Sequence, residues 1–311
     1  EVMRMLRELM SKGEVETALR VAEKLPELLA LQQPLAHLLS PSSSSSFSCR
    51  VFSFPFESPI YWFCLLLTKH KRPSLLLLRD ISSPLDTAAS AVAISQFLSE
   101  VSQFLKSTRS FSVYAESSLN FELLRQLPSV LPLHSPAARK PYHLFYMTKD
   151  QLQQLNELDI NLPYGYSFGE ANSDCDAELI ASTSEEALTL DAVRHDSLLT
   201  SKEHYLRESP SVVIRGPSGE ISSFELTGET GSFIHLFTLP DHRRRGLATS
   251  VELRLAQITA RTGRTPFKAV CTYDSSVHRS SEESSFWSVL HHNGCPVEIT
   301  VSNMTSSATL S

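Results

Sequence analysis

The sequence predicts an α/β fold in two parts, and three observations predict it. Short apolar runs alternate with amphipathic stretches from Pro73 to Leu162, the pattern of strands and helices in succession. Beyond Pro163 the runs Ser211–Ile214 and Ile221–Leu226 flank Gly216-Pro217-Ser218-Gly219, which is hairpin chemistry, and a third run, Phe233–Leu239, follows at once. Glycine is scarce and uneven: of 10 in 311 residues only Gly13 precedes position 164, and nine lie between Gly165 and Gly294. Backbone that must turn sharply or approach a ligand closely therefore belongs to the second part.

In chain order, Glu1 to Leu39 reads as helical, with Met5, Leu9, Leu19, Ala22 and Leu25 in apolar stripes broken near Gly13 and Pro26. Ser40–Ser48, containing the unbroken serines Ser42–Ser46, reads as a surface linker. Phe47–Leu67 is aromatic and proline-punctuated without clean periodicity, so it is assigned no element, and a misjoined coding segment is one reading of it. Ser74–Leu78 is a buried strand. Ser83-Pro84 starts a helix that runs to about Lys106, with Val92, Phe97, Val101 and Leu105 facing the core. Phe111–Ala115 is a strand, Phe121–Gln126 a helix and Tyr142–Met147 a strand, after which Thr148 and Gln151 form a capping box. The second part adds a strand at Gly165–Glu170 and helices at Asp174–Ser182 and Ser184–Leu199. After the three strands, Leu247, Val251, Leu255 and Ile258 share one helical face that Gly263 ends. Phe267–Thr272 is a strand, Phe286–His291 a helix and Pro296–Val301 a last strand. The expected divisions are 1–72, 73–163 and 164–311.

Composition removes several function classes. The chain is 41% hydrophobic and 20% charged with a formal net charge of −6, an ordinary globular profile. No G-x-G-x-x-G and no G-x-x-x-x-G-K-[ST] occurs, which excludes the dinucleotide fingerprint and the P-loop. Residues 1–164 hold 16 Lys+Arg against 15 Asp+Glu, and residues 165–311 hold 12 against 19. Neither part is a basic nucleic-acid domain, and no nucleic-acid partner is expected. Cys49, Cys64, Cys175, Cys271 and Cys295 form no C-x-x-C, so neither a disulfide framework nor a metal site is expected, and a reducing compartment fits. Pro59–Leu67, the longest apolar stretch, is too short to span a membrane, and no membrane partner is expected. The first residue is Glu1 rather than methionine, which reads as a fragment with any targeting segment missing.

Chemistry concentrates between Phe237 and Thr249. A strand ends at Phe237-Thr238-Leu239, a short loop carries Arg243-Arg244-Arg245-Gly246, and a helix opens with Leu247-Ala248-Thr249. The first turn of a helix has unpaired N–H groups and partial positive charge, so it suits phosphate. Gly246 lets backbone approach a pyrophosphate, Ala248 is small, and the three arginines add charge to an otherwise acidic half.

This Arg243-x-x-Gly246-x-Ala248 pattern resembles the coenzyme A loop of the Gcn5-related N-acetyltransferase superfamily. Ser211-Val-Val-Ile-Arg-Gly-Pro-Ser-Gly-Glu220, Glu229-Thr-Gly-Ser232 and Thr238-Leu-Pro-Asp-His-Arg243 with Gly246-Leu247 resemble, at nearly the same spacings, three motifs of the glycine N-acyltransferase family. The likeness is detailed over about Leu190–Val297 and vaguer over Ser74–Leu162. It implies two acetyltransferase-like lobes, each a mixed, mostly antiparallel sheet flanked by helices, the second lobe catalytic. It implies acyl-CoA as co-substrate without a metal, glycine or a similar small amine as acceptor, a monomer, and a mitochondrial location with a cytoplasmic one as the alternative. A backbone N–H near Phe237 would polarise the thioester carbonyl, with acyl-CoA between strands Phe233–Leu239 and Phe267–Thr272.

The pattern departs at the base. Where the family carries a catalytic glutamate this chain has Ser232, which is no base at neutral pH. Glu229 and His235 are the substitutes, and Tyr273 a candidate proton donor to the departing thiolate, in a region where the family carries asparagine. Each has a plainer reading: Glu229 a turn residue, His235 a strand histidine beside a polar neighbour, Tyr273 a packed core-edge aromatic, Arg243–Arg245 a solvated charge run, Cys271 a small core residue, His291-His292 a helix end. Two further functions stay open: an acyl-CoA-binding paralogue without turnover, motivated by Ser232, and an acetyltransferase of another amine.

Overall fold

The computed structural model describes residues 5–40, 47–68, 72–132, 134–183, 206 and 209–306. They form two compact units. The first comprises Glu1–Phe145, Ala269–Ser284 and Val289–Ser311; the second comprises Tyr146–Lys268 and Ser285–Ser288. The divisions therefore fall elsewhere than at 72/73 and 163/164, because Phe47–Thr68 belongs to the first unit's sheet and the last strand returns to it.

The first unit opens with β1 (Arg7–Glu8), α1 (Lys12–Ala22), a 3-10 turn at Pro26–Leu31 and α2 (Gln32–Leu39). Ser11 and Glu14 make a reciprocal capping box, so α1 starts there and Gly13 sits in its first turn rather than breaking it. Pro26 does force a break. The stretch assigned no element is a hairpin, β2 (Phe47–Phe54) paired antiparallel with β3 (Tyr61–Thr68) from Phe47↔Thr68 to Phe54↔Tyr61. Its strands lack alternation because β3 is buried on both faces over Tyr61–Leu66. Ser42–Ser46 lies outside the described residues.

Next come β4 (Ser74–Arg79), α3 (Thr87–Lys106), β5 (Ser110–Glu116), α4 (Ser117–Val130) and β6 (His134–Tyr146). β4 pairs antiparallel with β3 without interruption and parallel with β5 over four registered pairs. α3 begins after the expected Pro84: Asp86 is its cap, its carboxylate accepting the Ala89 N–H at 2.9 Å. Phe97, Val101 and Leu105 are fully buried, Phe97 stacking on Phe63 at 4.9 Å, whereas Val92 points outward.

The second unit contains α5 (Lys149–Glu157), β7 (Ser167–Gly169), α6 (Ala177–Ser182), β8 (Ser211–Arg215), β9 (Ile221–Thr227), β10 (Phe233–Thr238) and α7 (Leu247–Arg261). The helix expected at Ser184–Leu199 lies outside the described residues. Strands β7, β8, β9 and β10 pair antiparallel in that order. β11 (Phe267–Cys271) meets β10 in parallel at Phe233↔Lys268. Phe224, Leu226 and Ile221 of β9 bury one sheet face against Ala177 and Ile180 of α6. Leu247, Val251 and Leu255 anchor α7, with Ile258 at the margin of that stripe.

The capping box of α5 forms as expected: Thr148 Oγ1 accepts the Gln151 N–H at 3.3 Å and Gln151 Oε1 accepts the Thr148 N–H at 2.8 Å. Thr148→Ala is expected to cost about 1 kcal/mol, read as a lower urea midpoint at unchanged slope.

The chain closes with α8 (Ser275–Glu282), short strands β12 (Ser288–Val289), β13 (His291–His292) and β14 (Cys295–Pro296), and β15 (Glu298–Ser306). Phe286–His291 is therefore not a helix, and His291-His292 is no helix end. Asn293-Gly294, both at positive φ (51° and 79°), turns β13 into β14, the geometry this dipeptide favours. β15 lies between β5 and β6, antiparallel to both, and is longer than Pro296–Val301. No described helix is long and apolar enough to cross a membrane.

The two units share an order: a hairpin, a third antiparallel strand, a helix, then a strand parallel to the third. This is the two-lobed, mostly antiparallel mixed sheet with flanking helices that the sequence predicts.

Candidate active site

The shared order provides an internal comparison at the junction of third strand and helix. In the first unit β4 is regular, and the N-terminus of α3 is filled by Asp86. In the second unit β10 bulges, and α7 starts on Gly246 with no side-chain cap.

The bulge is defined by register. Ile234 opposes Leu226 and Phe237 opposes Phe224, so His235 and Leu236 together face the single residue Glu225. His235 takes a positive φ of 57°, uncommon for a residue with a side chain and a mark of imposed geometry. Its ring meets Phe224 edge-on at 5.1 Å, and its Nε2 lies 3.1 Å from Thr183 Oγ1. Thr183 Oγ1 also lies 2.9 Å from the Ile180 carbonyl.

Thr238 and the loop follow. Ser223 Oγ donates to the Phe237 carbonyl at 3.1 Å, and Thr238 Oγ1 lies 2.8 Å from Ser223 Oγ. The Leu239 N–H continues the ladder to the Ser222 carbonyl at 2.9 Å. Pro240–His242 makes one 3-10 turn. Arg243 folds back: its Nε donates to the Thr238 carbonyl at 2.9 Å and its guanidinium lies 5.5 Å from the Phe237 ring centre. Arg245 lies over Tyr166 at 5.9 Å. Arg244 has a φ of 62°. All three arginines are exposed, Arg243 and Arg245 with the contacts just given. Gly246 has a φ of 77°, and a Cβ there would meet no atom of the described residues within 4 Å. Space that no described atom fills thus stands before the first turn of α7, where Ala248 is half-buried and Thr249 exposed. Uncapped amides, this space and three cations suit a pyrophosphate.

The other candidates are dispersed. Ser232 closes the β9–β10 turn, its carbonyl accepting the Gly228 N–H at 2.8 Å and its Oγ accepting from Thr230 Oγ1 at 3.1 Å. Glu229 is half-buried in the same turn. Tyr273 belongs to the first unit and is 75% exposed, so it is not a packed core-edge aromatic. Cys271 is a half-buried free thiol. Among the described residues no group of three or more potential metal ligands occurs.

A charged cluster that sequence reading missed lies behind the bulge. Glu225 on β9, Glu252 on α7 and Lys268 on β11 are each buried to within 7% exposure. Lys268 Nζ pairs with Glu252 Oε1, the Trp287 indole N–H donates to Glu252 Oε2 at 2.8 Å, and the ammonium lies 4.4 Å from the Trp287 ring centre. Glu225 Oε2 has no hydrogen-bond partner among the described residues. Burial first, and the nearby Glu252 charge second, push its carboxyl well above the ordinary carboxylate range against the pull of Lys268. The signal available was a glutamate inside the otherwise uncharged strand Ile221–Thr227; its partners are far away in sequence.

No family model and no curated protein matches the chain by sequence. Solved structures do match by shape. A Drosophila protein from a structural genomics consortium superposes with a TM-score of 0.66 at 13% identity, covering 96% of this chain and 98% of its own. A GCN5-related N-acetyltransferase from Sphaerobacter thermophilus superposes with a TM-score of 0.50 at 12% identity, covering 97% and 96%. Likeness at such identity establishes the fold.

Proposed function

We propose that the chain is an acyl-CoA-dependent N-acyltransferase acting on glycine or a similar small amine. The observation that carries the reading is the uncapped start of α7 at Gly246, behind Arg243–Arg245 and at the end of the bulged strand β10. The second unit matches that task where the first does not, since Asp86 occupies the same place in α3. The fold it shares with a protein named as an N-acetyltransferase agrees with this. The mitochondrial location and monomeric state implied by the family resemblance belong to the same proposal.

In this reading the first turn of α7 and Arg243–Arg245 hold the pyrophosphate. The bulge at His235–Leu236 directs a backbone N–H near Phe237 to the thioester carbonyl. The amine nitrogen bonds to the carbonyl carbon, the carbon–sulfur bond breaks, and the His235 imidazole takes the amine proton, which ends on the departing thiolate. Imidazole ordinarily titrates near neutrality, which suits this role better than the Ser232 hydroxyl. Glu229 stays a turn residue.

Purified chain incubated with acetyl-CoA or benzoyl-CoA and a panel of amino acids is expected to release free CoA fastest with glycine. His235→Ala is expected to lower turnover about a hundredfold or more; unchanged turnover removes His235 as base. Glu229→Gln is expected to change little. Ser232 favours a second reading, an acyl-CoA-binding paralogue without turnover. Binding without release on any acceptor supports it, and a Ser232→Glu variant that gains turnover assigns the defect to that position.

A further inference from the structure

We propose that Tyr166, His242 and Glu220 form a brace that positions the Asp241–Gly246 loop for a phosphate-bearing ligand. The inference rests on the acyl-CoA reading above.

The brace is a chain of three side chains from three places in the second unit. Tyr166 lies just before β7, its N–H bonded to the Pro163 carbonyl at 3.1 Å. Its hydroxyl is 2.9 Å from His242 Nδ1, and the two rings meet edge-on at 5.8 Å. His242 Nε2 is 3.6 Å from Glu220 Oε1, in the turn between β8 and β9. Glu220 is itself held, its Oε2 accepting the Ser218 N–H at 3.0 Å and its carbonyl the Gly216 N–H at 2.8 Å. The two supporting segments also pack closely: a Cβ on Gly165 would lie 3.0 Å from Pro217 Cγ. His242 is the least exposed member of the loop between Asp241 and Gly246, and it is the point at which the loop is tied to both segments.

The charges around His242 are those of Glu220 and Tyr166 from the supporting segments and Asp241, Arg243, Arg244 and Arg245 from its own loop. Arg245 covers the Tyr166 ring and reaches the Asp241 carbonyl at 3.5 Å, so it depends on the same brace. The imidazole thus bridges the two supporting segments, its Nδ1 within hydrogen-bond distance of the tyrosine hydroxyl and its Nε2 facing Glu220.

The test uses the full chain with two probes, coenzyme A and S-acetylpantetheine, the latter carrying no phosphate. Binding is measured by calorimetry for wild type, Tyr166→Phe and His242→Ala, with circular dichroism establishing that each is folded. Tyr166→Phe and His242→Ala are expected to weaken coenzyme A about fivefold, the value of one such hydrogen bond, and to leave S-acetylpantetheine unchanged. Variants that bind coenzyme A as wild type does, or that lose both probes equally, overturn the brace alone. A wild-type chain that binds neither probe overturns the acyl-CoA reading and the brace with it.

Discussion

Lys268→Met is expected to destabilise the second unit by about 3–5 kcal/mol. Lys268 and Glu252 are each 7% exposed and paired with each other, so deleting the ammonium leaves a buried carboxylate with only the Trp287 N–H as its remaining described partner. Pairing the change with Glu252→Gln is expected to recover part of the loss, since no unpaired charge then remains. The chain has two tryptophans, so a Trp62→Phe background leaves Trp287, which touches the pair, as the fluorescent reporter of urea unfolding. A loss below about 1 kcal/mol, the range of exposed pairs, would show that the cluster is solvated.

Glu225 adds a pH dependence of defined sign. Its carboxyl is raised in the folded unit, so above the ordinary carboxylate range the folded state keeps a proton that the unfolded chain has released. Stability from this group is complete below the unfolded value and declines as pH rises toward the folded one. Glu225→Gln, which fixes the neutral form, is expected to flatten that decline.

The second large effect is on binding. Gly246→Val is expected to weaken coenzyme A at least tenfold. The φ of 77° at Gly246 is open to glycine and a genuine outlier for a β-branched residue. The left-handed region costs an ordinary residue about 1–2 kcal/mol, and about 1.4 kcal/mol is a factor of ten. The new side chain would also project into space that no described atom of the protein fills. Calorimetry with coenzyme A reads this directly, and an unchanged affinity would separate Gly246 from the ligand.

The contrast between Gly246 and Glu225 shows what could be read in advance. Gly246, Leu247 and the hairpin at Gly216–Gly219 are local features, in which turn chemistry and a helical stripe speak within a few residues. The bulge at His235 was not readable, because it is a mismatch between two strands and neither strand signals it alone. The Glu225, Glu252, Lys268 and Trp287 cluster joins four elements that meet only on folding. Phe47–Leu67 escaped assignment because burial of Tyr61–Leu66 on both faces removes the alternation by which a strand is recognised. The Asn293-Gly294 turn went unread, because the apolar run Phe286–Leu290 before it imitates a helical stretch.

Asp86 and Gly246 leave the two units under different kinds of control. A helix capped by its own ionised carboxylate carries that stabilisation within the chain. A helix that begins on bare glycine lacks it, a difference of about 1 kcal/mol. On the proposed reading, the melting temperature of the second unit rises with the concentration of the ligand that docks there, while the cap of the first needs nothing from solution.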